Sequence, residues 1–200
     1  DEKRHRKSWG IVIFPIAFLV LLFFFGKTKP WLVIYPMLVL AWADAAAAIA
    51  GEILAKRYFQ LTGDRKSWQG SVAFLITTIF MLWLLPTLLS HVHPIFQWPF
   101  SLNPDSMQVL GLFIFVALIA ATAEALGSGG FDNILVPVFA AWGMQIISEP
   151  AAFNHCMVAL FLVIPFALLA FWKKWLDAGG AVAAALLGML VWIEGGWAAT

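Results

Sequence analysis

The chain has 200 residues, 62% of them hydrophobic and 12% charged, with a formal net charge of +1. Soluble domains run at about half apolar and about a quarter charged, so a soluble globular protein, a disordered chain and a basic nucleic-acid binder are all excluded. The single cysteine, Cys156, leaves no disulfide framework and no cysteine-built metal site, and what remains is a polytopic membrane protein.

The chain opens inside a charged run, Asp1 to Lys7, and closes at Thr200 just beyond an apolar one, which reads as a piece cut from a longer protein at both ends. A bilayer core of roughly 30 Å needs about 20 mostly apolar residues as helix. Seven stretches qualify: Trp9–Phe25, Trp31–Ala50, Ser71–Leu89, Met107–Ala123, Ile134–Ile147, Ala151–Trp172 and Gly179–Ile193. The first is followed by Gly26-Lys27-Thr28-Lys29-Pro30 and not by a small-residue cleavage site, so it reads as a span and not as a signal peptide. The fifth is short, and either draws on Phe131-Asp132-Asn133 for length or enters the membrane only partly. Pro15, Pro36, Pro86, Pro137 and Pro165 lie inside these runs, which a membrane bundle tolerates because neighbouring helices re-satisfy the freed carbonyls. Ala45–Ala48, Ala120–Ala123 and Ala181–Ala185 would let helices approach closely. The expected fold is all-α, a transmembrane helix bundle of about seven spans.

Lys and Arg set the orientation. Assigning the connections alternately to two sides puts Lys3, Arg4, Arg6, Lys7, Lys56, Arg57, Arg65, Lys66, Lys173 and Lys174 on one side and only Lys27 and Lys29 on the other. By the positive-inside rule the amino end and the loop from Gly51 to Gln69 are cytoplasmic. The loop His91–Ser106, without Lys or Arg, faces out.

An ionisable residue inside an apolar segment costs a few kcal/mol even on insertion scales. Asp44, flanked by Trp42, Ala43 and Ala45, lies roughly 20 Å along its helix, in the cytoplasmic half. Glu124 ends the fourth run on the same side, and Asp132-Asn133 follows the turn Gly127-Ser128-Gly129-Gly130. Basic residues alone thus place Asp44, the Gly51–Gly70 loop, Glu124 and Asp132 on one membrane face. Acids beside Arg57, Arg65 and Lys66, next to glycine turns with free backbone amides, suit a metal-bound nucleotide polyphosphate. Plainer readings stand alongside. The basic loop is also a topology signal, Glu124 at a helix end is also a solvated residue, and Gly127–Gly130 is also an interhelical turn. His91-Val92-His93 has metal-binding spacing but no neighbouring acid; Asn154, His155 and Cys156 read as interhelical packing, and Glu194 as solvated. Trp9, Trp31, Trp68, Trp98 and Trp172 read as interfacial belts.

The block Asp44-Ala45-Ala46-Ala47-Ala48-Ile49-Ala50-Gly51, a basic loop, then Lys66-Ser67-Trp68-Gln69-Gly70-Ser71 resembles the CTP-dependent polyprenol and lipid kinases. These are the phytol, dolichol and diacylglycerol kinases, related to phosphatidate cytidylyltransferase. Ala121-Thr122-Ala123-Glu124 and Asp132-Asn133-Ile134-Leu135-Val136-Pro137 are similar to the second signature of that family. Glu52 and Ala55 stand where members usually carry a basic residue and a second glycine, and Gln69 where they carry an acid. The resemblance implies a membrane kinase transferring the γ-phosphoryl of CTP to an isoprenoid alcohol such as phytol, at the cytoplasmic face. It implies Asp44 and Asp132 as Mg²⁺ ligands, with Glu124 and Asn133 completing the catalytic set; Glu124 accepts the alcohol proton or joins the metal shell. Gly51, Arg65, Lys66, Ser67, Gly70 and Ser71 would bind the nucleotide, the last at a helix amino end. The kinase-like domain would cover residues 1–172. Residues 173–200, with Leu176-Asp177-Ala178-Gly179-Gly180, resemble the first helix of a phytyl-phosphate kinase-type membrane domain. Rival readings are a cytidylyltransferase that attaches CMP to a phospholipid, and a non-catalytic transporter or subunit.

Overall fold

The computed structural model describes residues 9–89, 107–148 and 163–195. The charged amino-terminal run, His91–His93, Trp98 and Asn154–Cys156 lie outside the described residues. The chain divides into two compact units, Asp1–Met144 and Gln145–Thr200.

Over the described residues, each expected apolar run is a helix. In chain order these are α1 (Gly10–Phe25), α2 (Trp31–Ile53), α3 (Trp68–Leu89), α4 (Met107–Leu126) and α5 (Asp132–Ser148), the last beginning in the first unit and ending past its boundary. The described part of the sixth run is α6 (Val163–Trp172), and the seventh is α7 (Ala178–Gly195). Pro15, Pro36, Pro86 and Pro137 sit inside their helices, as expected of a bundle whose neighbours share the backbone polarity. The short fifth run gains its length from Asp132 and Asn133. By length and composition α2, α3 and α4 are the helices able to cross a membrane among the described residues; α1, α6 and α7 are shorter. Large side chains such as Ile11, Phe23, Trp42, Ile49, Ile76 and Phe80 are exposed, an apolar surface that suits lipid and not water. The chain is an integral membrane protein.

One feature was not expected. The loop after α2 carries a two-stranded antiparallel ribbon, β1 (Tyr58–Phe59) and β2 (Lys66–Ser67), pairing Tyr58 with Ser67 and Phe59 with Lys66. Phe59 packs on Trp68 at 5.0 Å between ring centres, so aromatic contact holds the ribbon to the start of α3.

Within the first unit α3 packs chiefly on α2 and then on α4, and α1 packs on α2. Leu21 of α1, Val33 of α2 and Ala141 of α5 form one buried cluster with Phe25, Met37 and Val138 against it. The α2–α3 contact depends on small residues. A methyl group added at Gly70 would lie 2.9 Å from the carbonyl oxygen of Ala47 and 2.8 Å from Ser67 Oγ. In the second unit, Asp177 Oδ1 caps α7 by accepting the Gly180 N–H at 2.6 Å, and Gly188 lets Val163 of α6 approach.

Gly70→Ala should therefore destabilise the protein by about 1–3 kcal/mol through overpacking against backbone. Gly111→Ala on α4 meets open space and should be neutral or slightly stabilising. Thermal unfolding of the two variants side by side in detergent checks this.

Candidate functional site

The site is built where α2, α3 and α4 end or begin together. On α2, residues 44, 47, 48 and 51 recur at helical spacing and so share a face. All four line a cavity of about 260 Å³, where Ala47, Ala48 and Gly51 leave the space and Asp44 supplies the charge. The ribbon contributes Tyr58, Arg65, Lys66 and Ser67, the first turn of α3 contributes Gly70 and Ser71, and α4 contributes Glu124. Every residue expected to bind nucleotide is therefore on this wall, together with Asp44 and Glu124. Asp132 and Asn133 are not lining residues; the Asn133 N–H donates to Asp132 Oδ1 at 3.1 Å in the first turn of α5.

Lys66 joins the distant segments. Its Nζ donates to Glu124 Oε1 at 2.8 Å and to Asp132 Oδ2 at 3.1 Å. Asp44 lies within electrostatic reach of both Asp132 and Lys66. Glu124 is only 4% exposed because it continues the buried stripe Phe113, Val116, Ala117, Ala120 and Ala123 of α4; the solvated reading does not hold. Burial pulls the Lys66 ammonium down, but Glu124 and then Asp132 outweigh it, and its pKa stands above the ordinary value of 10.5. Two buried oxygens on the wall, Ser71 Oγ and Glu124 Oε2, have no hydrogen-bond partner among the described residues. Arg65 stacks its guanidinium over the Tyr58 ring at 4.3 Å, which holds it at the rim.

The turns differ from expectation in one respect: the amides of Gly70, Gly127 and Gly129 are engaged. Gly70 N–H donates to Ser67 Oγ at 3.0 Å, an N-cap that uses the hydroxyl expected on phosphate. Trp68 N–H donates to the Arg57 carbonyl, and Gly129 N–H to Asp64 Oδ2 at 2.7 Å. Gly127 is required here, since a Cβ on it would fall 2.6 Å from Asp132 Cα. Gln69, in the place of an acid, accepts the Lys56 N–H at 3.3 Å. Sequence reading missed Asp64, Thr62 and Tyr58. Tyr58 had a signal, an aromatic residue in a basic loop; Thr62 and Asp64 had none, because their partners are more than 60 residues away.

Among the described residues no group of three or more His, Cys, Asp or Glu is arranged to hold a metal. Glu124 and Asp132 nevertheless converge on one cation, the Lys66 ammonium, and the second Glu124 oxygen is buried without a partner among the described residues. Such an oxygen-only set suits a hard divalent ion that takes one or two carboxylates and completes its shell with phosphate and water.

A protein named phytol kinase, from Synechocystis sp., is 28% identical to this chain over 146 residues. The match covers 70% of this chain and 55% of that protein, so the chain spans about half the length of the curated relative it matches. No family model matches the chain. No solved structure matches it.

Lys66→Met would leave two carboxylates without their half-buried cation and should cost about 3 kcal/mol. A lysine whose folded pKa is raised contributes stability fully present below its unfolded pKa and lost as pH climbs through the folded one. Parent stability should thus fall above about pH 10.5. That alkaline fall should be reduced in Lys66→Met, which denaturant midpoints across pH 7–11 would reveal.

Proposed function

We propose that this chain carries the site of an integral membrane kinase that moves the γ-phosphoryl of CTP to the hydroxyl of an isoprenoid alcohol, phytol first. The observation that carries this reading is the Lys66 ammonium held between Glu124 and Asp132 on the wall of a cavity shared with Asp44. The similarity to a protein named phytol kinase supports the choice of reaction and alcohol. CTP as donor, Mg²⁺ and the cytoplasmic placement rest on the sequence resemblance and the distribution of basic residues.

Phosphoryl transfer asks for positioning and charge neutralisation more than for covalent help. The site stands at the ends of apolar helices, where an alcohol dissolved in lipid and a nucleotide dissolved in water can both reach. Lys66 would turn from the carboxylates to the phosphates, with Arg65 leaving Tyr58 to assist and the Ser71 hydroxyl donating to a phosphate oxygen. Ser67 and Gly70, already bonded to each other, would shape the wall together with Gly51. The carboxylates released by Lys66 would be Asp132 and Glu124, with Asp44 beside them. Asp44 and Asp132 would hold Mg²⁺, which when bound supplies positive charge against the phosphate oxygens. Glu124, with one oxygen unpartnered, would accept the alcohol proton or complete the metal shell, and Asn133 would hold Asp132 in place.

The full-length protein in lipid vesicles, given γ-labelled CTP with phytol, geranylgeraniol, dolichol and diacylglycerol in parallel, should label phytol or a near relative and release CDP. Asp44→Asn should abolish transfer while the protein still inserts. Release of pyrophosphate would show CMP transfer, and transfer undiminished in Asp44→Asn would remove Asp44 from the mechanism.

A further inference from the structure

Lys66 sits at the end of a loop that has little core of its own, and it must still arrive at one spot between α4 and α5. The ribbon closes the loop upon itself, with Gln60 Nε2 donating to the Gly63 carbonyl at 3.2 Å. That fixes the loop's shape but not its place. Its place depends on a second set of contacts, to the turn between α4 and α5. Thr62 Oγ1 donates to the Leu126 carbonyl at 2.9 Å, and Asp64 Oδ2 accepts the Gly129 N–H at 2.7 Å. Between them Gly63 approaches Ser128 so closely that a Cβ on it would lie 3.4 Å from Ser128 Cβ. Gly129 has a φ of +63°, a left-handed conformation that turns its amide toward Asp64 and that side chains other than glycine adopt at a cost. The two anchors lie two and four residues before Lys66. Their partners lie on the short segment joining Glu124 to Asp132. We infer that Thr62-Gly63-Asp64 is a clip that sets Lys66 between Glu124 and Asp132, with Asp64 as its main positioning residue.

Asp64 does not touch the cavity, and a bond between an ionised carboxylate and an amide is stronger than a neutral one. Losing it should free the loop, displace Lys66 and Arg65 together, and weaken nucleotide use without altering the acids themselves. The activity arm of this inference rests on the kinase reading above; its structural arm does not.

The test uses the full-length protein in a Cys156→Ser background. Asp64→Ala should raise the nucleotide KM about tenfold and speed trypsin cleavage after Arg57 and Arg65, while Asp64→Asn, which keeps an acceptor oxygen, stays near the parent. Gly63→Cys with Ser128→Cys should form a disulfide on mild oxidation, because the Cβ separation is close to that of natural bridges. Adding this bridge to Asp64→Ala should restore both protease resistance and KM. Parental proteolysis of Asp64→Ala, failure of the bridge to form, or a bridged Asp64→Ala variant that is still cleaved quickly would each overturn the clip. If neither parent nor variants phosphorylate any alcohol, the kinase reading fails, and proteolysis and bridging still decide the clip.

Discussion

A carboxylate buried at the end of an apolar helix needs a cation, and the architecture of the first unit follows from that need. Glu124 lies on the packing stripe of α4 and is almost wholly covered. An isolated buried charge is prohibitively expensive, so the chain has to bring a counter-ion to it. Lys66 comes from 58 residues away and serves Asp132 at the same time. The arrangement joins α4, α5 and the α2–α3 loop, and it gathers acidic and basic groups beside the cavity that also holds Asp44.

Space and backbone conformation make that meeting possible. Small residues on one face of α2, with Gly70 opposite, let α3 start close to α2 and still leave a cavity. Gly127 admits Asp132, and Gly129 and Gly130 take positive φ so that α5 can begin at once with its acid in the first turn. An acid there is also favoured by the helix dipole. Many bulky apolar side chains are exposed, consistent with helices surrounded by lipid.

Much of this was legible in the sequence. Continuous apolar runs of this kind have little freedom to be other than helices in a membrane protein, and over the described residues each is one. The grouping of Asp44, Lys66 and Glu124 was also legible, because basic residues settle which helix ends share a side and only a few acids occur near those ends. Three things were not. The fate of Glu124 depends on which face of α4 packs inward, and a helix apolar all round conceals this. The engagement of the Gly70 and Gly129 amides depends on Ser67 and Asp64 side chains, which periodicity does not address. The ribbon involves four residues, too few for an alternating pattern to stand out.

The central claim is that Lys66 and Glu124 act on each other directly inside the folded protein. A double-mutant cycle of Lys66→Met and Glu124→Gln, read as unfolding free energies in one lipid environment, measures that interaction. A coupling of about 2 kcal/mol is expected, with the double variant more stable than the sum of the single losses allows. Strictly additive losses would contradict the account.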